Sequence, residues 1–312
     1  MSRAKIGFIG AGNVGATAAL YCVQKGLGDC VLVDVVEGVA AGKALDMLET
    51  TPLLDADVKL TGATDFDALQ GADVIVVTAG IARKPGMSRA DLLKTNADII
   101  TSCAQHVKRV APNAILVMVT NPLDVMAHVA MKVSGFEPRR VVGMAGILDA
   151  ARFEAFIAHE LGVSVSRVCA MVLGGHGDTM VPLPRFTSVN GVPLPELMDA
   201  ATIERLATRT RNAGAEIVAL LKTGSAYYSP GRAAARMVES ILMDRKDFVP
   251  CSAYLSGQYG QKGIYLGVPV VLGRSGVERI VELSLTESER GLLAKSVSEV
   301  RSTMELLEGV LL

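Results

Sequence analysis

The sequence predicts an α/β fold, a doubly wound and mostly parallel sheet followed by a second domain of mixed α+β character. Three observations carry this. Short apolar, strand-like runs alternate with alanine-rich helical stretches through the first half; a glycine-rich turn joins the first strand to the first helix; and after about Ala145 the alternation gives way to helices mixed with hairpin-like segments. Taken in order, residues 5–10 read as a short buried strand, 13–25 as a helix and 30–35 as the second strand of a βαβ unit. Further strands are expected at 74–78, 116–120 and 141–143, separated by helices at 91–110 and 123–133. Right-handed crossovers then place a ligand crevice outside the carboxyl ends of the strands. In the second half, helices are expected at 149–161 and 203–221, with hairpin-like segments at 185–193, around Asn190-Gly191, and at 263–273. The expected domains are residues 1–145 and 146–312.

Composition narrows the classes of function. At 312 residues the chain can bury two moderate cores, and 50% hydrophobic residues with no tryptophan and 4% aromatics make those cores aliphatic. A formal net charge of −1 supplies no field for nucleic acid or an anionic membrane, so any basic site has to be local. The apolar runs at 72–77 and 114–119 fall far short of the ~20 residues that cross a bilayer. The chain enters its first strand almost at once, so no signal or transit segment is expected, and the expected location is the cytoplasm. Its five cysteines, Cys22, Cys30, Cys103, Cys169 and Cys251, form no CxxC pair and no zinc-ligand spacing. They read as buried free thiols in a reducing compartment, with no metal site expected.

The first turn carries glycines at 10, 12 and 15, in Gly10-Ala11-Gly12-Asn13-Val14-Gly15, directly between strand and helix. Gly10 permits the tight turn, Gly12 lets backbone approach a pyrophosphate at the positive end of the helix, and Gly15 lets the helix sit close to its strand. Asp34 ends the second strand nineteen residues after Gly15, where an acid meets the adenine ribose hydroxyls. Strand, glycines and acid together predict a dinucleotide site of Rossmann type, where a glycine turn alone would equally serve a phosphate or the backbone only. Asp34 would repel a 2′-phosphate, so NAD is preferred over NADP.

Beyond the strand at 74–78, a glycine- and proline-punctuated loop sets Arg83 and Arg89 six residues apart. Guanidinium forks fit carboxylates bidentately and keep their charge, so two on one loop suit a ligand with concentrated negative charge; a solvated basic loop has the same composition. Of the four histidines, His106, His128 and His159 fall within helical patterns and read as structural or surface residues. His176 lies instead in Gly174-Gly175-His176-Gly177-Asp178, where glycines exclude a helix and allow close approach to the ring. Such a histidine suits proton transfer near neutral pH, or is merely tucked into a glycine turn. Asp149 and Arg152, three apart, share one face of a helix start. An exposed ion pair, or a capping role for Asp149, would explain them equally.

With Thr120-Asn121-Pro122 added, these segments occur in the order in which they resemble the lactate/malate dehydrogenase superfamily, along nearly the whole chain. Within it the chain is most similar to the lactate dehydrogenase-like, NAD-dependent malate dehydrogenases. The resemblance implies residues 1–145 as the NAD-binding domain, 146–312 as the substrate domain, and reversible hydride transfer between (S)-malate and NAD. It implies His176 and Asp149 as the catalytic pair, His176 exchanging the proton and Asp149 holding its tautomer. It implies Arg152 on the C1 carboxylate, Arg89 polarising the carbonyl, Asn121 orienting substrate and nicotinamide, and Asn96 and Val119 beside the cofactor. The arginine loop would close over the substrate, with Gly80 and Gly86 as hinges.

The same resemblance implies that Arg83 selects the acid. Lactate dehydrogenases resemble this chain but carry glutamine at the matching position, and an arginine there meets the second carboxylate of malate or oxaloacetate. With pyruvate it would face a methyl group as an uncompensated charge. Ala226 stands where lactate dehydrogenases usually have threonine, which leaves room for the longer acid. The alternatives are a lactate or broader 2-hydroxyacid dehydrogenase and, from another class, a non-catalytic NAD-sensing protein. Relatives of this kind assemble as homodimers or homotetramers.

Overall fold

The computed structural model describes residues 3–81 and 88–311, so Arg83 and Gly86 lie outside the described residues. The first half alternates as expected: β1 (Lys5–Ile9), α1 (Asn13–Gln24), β2 (Asp29–Val33), α2 (Val39–Thr50), β3 (Leu60–Ala63), β4 (Val74–Val77), α3 (Arg89–Val110), β5 (Ile115–Met118), α4 (Leu123–Ser134) and β6 (Val141–Gly143). These six strands pair in parallel in the spatial order 3-2-1-4-5-6, which reverses at β1 and opens a crevice between the ends of β1 and β4. The α2–β3 unit goes beyond the sequence reading, because neither segment carries a strong signal. No side chain caps α2, and β3 is the short run Leu-Thr-Gly-Ala.

Alternation along each strand builds two apolar layers. Ile6, Phe8, Val74 and Val76 face one side with Ala18, Ala19 and Cys22 of α1; Ile9, Ile75 and Val77 face the other with Leu93, Ala97 and Ile100 of α3. Both faces are covered, as a parallel sheet requires. Helix α3 begins with a reciprocal cap, in which the Asp91 N–H donates to Ser88 Oγ (3.0 Å) and the Ser88 N–H to Asp91 Oδ2 (3.2 Å).

The second half runs through α5 (Ala145–Leu161), the two-residue strands β7 (Val168–Cys169), β8 (Val172–Leu173), β9 (Val181–Pro182), β10 (Ser188–Val189) and β11 (Val192–Pro193), then α6 (Ala200–Leu221), α7 (Tyr228–Leu242), β12 (Asp247–Ser256), β13 (Lys262–Gly273), β14 (Gly276–Ile280) and α8 (Glu287–Leu311). Strands β10 and β11 form the hairpin expected around Asn190-Gly191. Residues 263–273 are not a hairpin. They belong to one twelve-residue strand, β13, paired on both sides by β12 and β14. Gly267 is needed within this strand because a Cβ there would meet the Gly174 carbonyl oxygen at 2.3 Å.

Strands β12 to β14 do not form a separate sheet. Strand β12 joins β6 antiparallel at Ser252 and Gly143, extending the parallel core to nine strands. Helix α7 from the second half packs on α1 and places Ala234, Met237 and Val238 in the same apolar layer as Ile6 and Phe8.

Four of the five thiols are buried as expected, while Cys169 is exposed on β7. Burial pushes Cys30, Cys103 and Cys251 up to about 12, so little thiolate forms at neutral pH. Ellman's reagent should therefore titrate one thiol rapidly in the native protein, none in Cys169→Ser, and all five only in denaturant. Rapid reaction of a second native thiol would contradict the buried assignment.

Candidate active site

The glycine turn takes the geometry its residue types allow. Gly10 has φ +96°, and Gly15 lies so close to the turn that a Cβ on it would meet the Gly10 carbonyl oxygen at 2.0 Å. A Cβ on Gly12 would project into open space, and no side chain caps the N-terminus of α1, whose first turn carries no acid. The free N–H groups there suit a pyrophosphate. Asp34 accepts hydrogen bonds from the Ala11 N–H (2.8 Å) and the Val36 N–H (3.0 Å), fixing the turn against the end of β2. Its remaining lone pairs border a crevice of about 450 Å³ lined by Gly10, Gly12, Asp34, Val36 and Ile81. These residues fit an NAD molecule.

A second crevice, about 430 Å³, adjoins the first across Thr78, Gly80 and Ile81. Val14, Val119, Asn121, Arg152, His176 and Ala226 line it, so residues from both halves of the chain converge there. Asn13 is exposed beside Gly12, and Ala11 is buried beneath the turn. Arg89, the first residue of α3, is exposed. Asn96, expected beside the cofactor, is buried: its Oδ1 accepts from the Ile81 N–H (2.9 Å), and its Nδ2 donates to the Ile81 (3.2 Å) and Asn121 (2.8 Å) carbonyls. Its side chain thereby ties the base of the arginine loop to the Asn121 segment.

The His176 ring meets Asp149 at 2.9 Å, Nδ1 to Oδ2, which leaves Nε2 for a ligand. Arg152 Nη1 donates to the other carboxylate oxygen of Asp149 at 3.3 Å. This is no exposed ion pair, since the Asp149 and Arg152 side chains are only 2% and 13% exposed. Nor does Asp149 cap its helix: α5 starts at Ala145, four residues earlier, without a capping side chain, and Asp149 points inward from the second turn. Arg152 Nε is buried without a partner, a donor left for an incoming acceptor. Burial disfavours the charged imidazole, but the Asp149 carboxylate and its hydrogen bond outweigh this and hold His176 above the ordinary histidine value. Burial pulls Arg152 down, opposed by Asp149, and an arginine so perturbed stays charged at neutral pH.

One buried acid near this site escaped the sequence reading. Asp124, in the first turn of α4, accepts from the His176 backbone N–H (3.0 Å) and from Ser252 Oγ (2.6 Å). In the sequence it passes for an ordinary acid at a helix N-terminus. The other histidines stay apart from the site: His106 stacks on Phe66, His159 is exposed, and His128 lies near Tyr254 and Tyr265. Among the described residues, no cluster of three or more His, Cys, Asp or Glu side chains is arranged to hold a metal ion, and no helix is long and apolar enough to cross a membrane.

Comparison with known proteins agrees in both halves. Residues 4–143 match the lactate/malate dehydrogenase NAD-binding domain, and residues 147–309 match the α/β C-terminal domain of the same family. The malate dehydrogenase of Roseiflexus sp. (strain RS-1) is 53% identical, covering 99% of this chain and 100% of that protein. The apo malate dehydrogenase of Picrophilus torridus superposes with a TM-score of 0.97 at 44% identity, covering 99% of each chain. The lactate dehydrogenase of Cryptosporidium parvum, solved with lactic acid and nicotinamide adenine dinucleotide, superposes at 0.95 and 44% identity, again over 99% of each chain, so the backbone alone does not choose between the two acids. Because the two family models together span all but the ends of the chain and a few residues between them, it belongs to the lactate/malate dehydrogenase family.

Proposed function

We propose that this chain is an NAD-dependent malate dehydrogenase that interconverts (S)-malate and oxaloacetate. The observation that carries this is the His176–Asp149–Arg152 constellation, set in a crevice that opens directly onto the nucleotide crevice. NAD, when bound, supplies hydride exchange with the substrate C2. The chain supplies the rest. His176 Nε2 gives the proton to the carbonyl oxygen of oxaloacetate, or takes it from the hydroxyl of malate, while Asp149 holds Nδ1–H and stabilises the imidazolium. Arg152 binds the C1 carboxylate, and its unpartnered buried Nε supports that role. Asn121 orients substrate and nicotinamide, Arg89 polarises the reacting carbonyl, and Arg83 meets the second carboxylate. Gly10 to Gly15, Asp34 and Val119 bind the cofactor, and Asn96 acts through the two segments it ties together.

Residues 1–145 serve the cofactor and 146–312 the substrate. A homodimer or homotetramer is supported by exposed leucines on neighbouring helices, Leu20 of α1 with Leu45 and Leu48 of α2. A cytoplasmic location is supported by the five unpaired thiols. A lactate or broader 2-hydroxyacid dehydrogenase is the weaker reading because Arg83 would face the methyl group of pyruvate. A purely NAD-sensing protein would have no use for an imidazole paired with a buried carboxylate.

The deciding experiment assays the parent and Arg83→Gln with oxaloacetate and with pyruvate under NADH. The parent should strongly prefer oxaloacetate, and the variant should lose about 100-fold of that preference, because it leaves one substrate carboxylate without a countercharge. Preference of the parent for pyruvate would overturn the substrate, and reduction of neither would overturn the activity.

A further inference from the structure

We infer that Asp124 is a positioning residue for the proposed reaction, holding the His176 backbone through its buried carboxylate and setting the imidazole against Asn121. This rests on the reading of His176 as the proton donor. Three successive N–H groups of the histidine loop are held by three different elements. The Gly174 N–H donates to the Gly267 carbonyl of β13 (2.9 Å), the Gly175 N–H to Ser296 Oγ of α8 (2.8 Å), and the His176 N–H to Asp124 Oδ2 of α4 (3.0 Å). Only the last of these anchors can carry charge, and it grips the proton-donating residue itself.

The placement of Asp124 makes it a register pin. It lies three residues after Asn121, in the turn that begins α4, so the segment that orients substrate and the loop that moves the proton share one short rigid link. Ser252 of β12 donates to the other carboxylate oxygen at 2.6 Å and fixes the rotamer from beneath. Gly175 lies close over it, since a Cβ on Gly175 would come within 3.3 Å of Asp124 Oδ2 and within 2.8 Å of Val300. A carboxylate that accepts from two donors on opposite oxygens, 6% exposed, cannot turn away without leaving both donors unpaired. A merely dipole-serving acid would instead stand exposed at the helix end.

Asp124 also contributes charge. Among the described residues, the charged groups that act on His176 are Asp149 and Arg152 from α5 and Asp124 from α4, and the two carboxylates favour the protonated ring while Arg152 opposes it. Around Asp124 itself stand Ser252, His176 and Asp149, with Glu299 of α8 bordering the adjoining cavity. Position and charge are separable. Asparagine can accept from the His176 N–H through its amide oxygen and donate to Ser252 Oγ, keeping the pin but losing the charge.

The test compares Asp124→Ala, Asp124→Asn and Ser252→Ala with the parent by three readouts: kcat and KM for oxaloacetate, NADH affinity by fluorescence titration, and the His176 ring titration by NMR, assigned against His176→Gln. Asp124→Ala should lower kcat about 10- to 100-fold with NADH affinity retained, because the donor is misplaced while the nucleotide crevice is untouched. Asp124→Asn should recover most of kcat yet titrate His176 lower, because its charge is gone. Ser252→Ala should fall between parent and Asp124→Ala in kcat. Unchanged kcat and unchanged ring titration in folded Asp124→Ala would overturn the inference, as would parallel loss of kcat, NADH affinity and melting temperature without rescue by asparagine. If Asp124→Ala does not fold, an unshifted His176 titration in Asp124→Asn overturns it alone. The ring titration needs no turnover, so a parent inactive on oxaloacetate would refute the proposed activity while leaving the Asp124–His176 coupling readable.

Discussion

His176→Gln should lower kcat for oxaloacetate reduction by about 10³-fold while leaving NADH affinity within about twofold of the parent. Glutamine keeps a polar side chain of similar reach but has no group that releases a proton near neutral pH. The proposed nucleotide contacts lie elsewhere, on the Gly10 to Gly15 turn and Asp34, so binding of the reduced cofactor should survive. Rapid-mixing absorbance at the nicotinamide band gives kcat, and fluorescence titration gives affinity. A loss smaller than about tenfold would mean that the proton reaches the substrate from another group.

Asp149→Asn should cost about 10²- to 10³-fold in kcat/KM and also move the pH profile. In the parent, Asp149 outweighs the burial of His176 and raises its pKa. Asparagine removes that support, while burial and the Arg152 charge remain and push downward against the smaller upward pull of Asp124. Oxaloacetate reduction needs the protonated ring, so its rate should fade at a lower pH on the alkaline side. Malate oxidation needs the neutral ring, so its rate should persist to a lower pH on the acid side. Both limbs therefore move in the acid direction. Arg152, which loses its carboxylate partner in the same variant, is tested by the KM for oxaloacetate, which should rise. Limbs that stay in place would show that Asp149 does not support the imidazolium.

Much of this was legible in the residues, and the exceptions have causes. The first βαβ unit could be read because its glycines, its apolar strands and Asp34 each obey a local rule, and the structure places them as those rules require. Asp149 misled in one respect: nothing in Met144 to Leu148 looks like a helix start, since α5 enters uncapped from the sheet, so the acid took on the look of a cap. Strand β13 was obscured by Gly263 and Gly267, and the second of these is demanded by the approach of Gly174 from a distant part of the chain. Asp124 was hidden for the same reason, because its partners, His176 and Ser252, lie 52 and 128 residues away. Local signals find helices and strands, and long-range partners decide what a polar residue does.

The joining of the nine-stranded sheet across the middle of the chain bears on how this protein can change. Gly231 of α7 is pressed so tightly to α1 that a Cβ on it would meet Thr17 at 2.7 Å, and α1 is the helix whose free end faces the nucleotide crevice. The cofactor half therefore stands on a foundation laid by the other half and is not a portable cassette. Sequence drift along α7 should reach the cofactor end of α1 through this contact, so changes in the second half of the chain are expected to alter cofactor affinity without touching the cofactor.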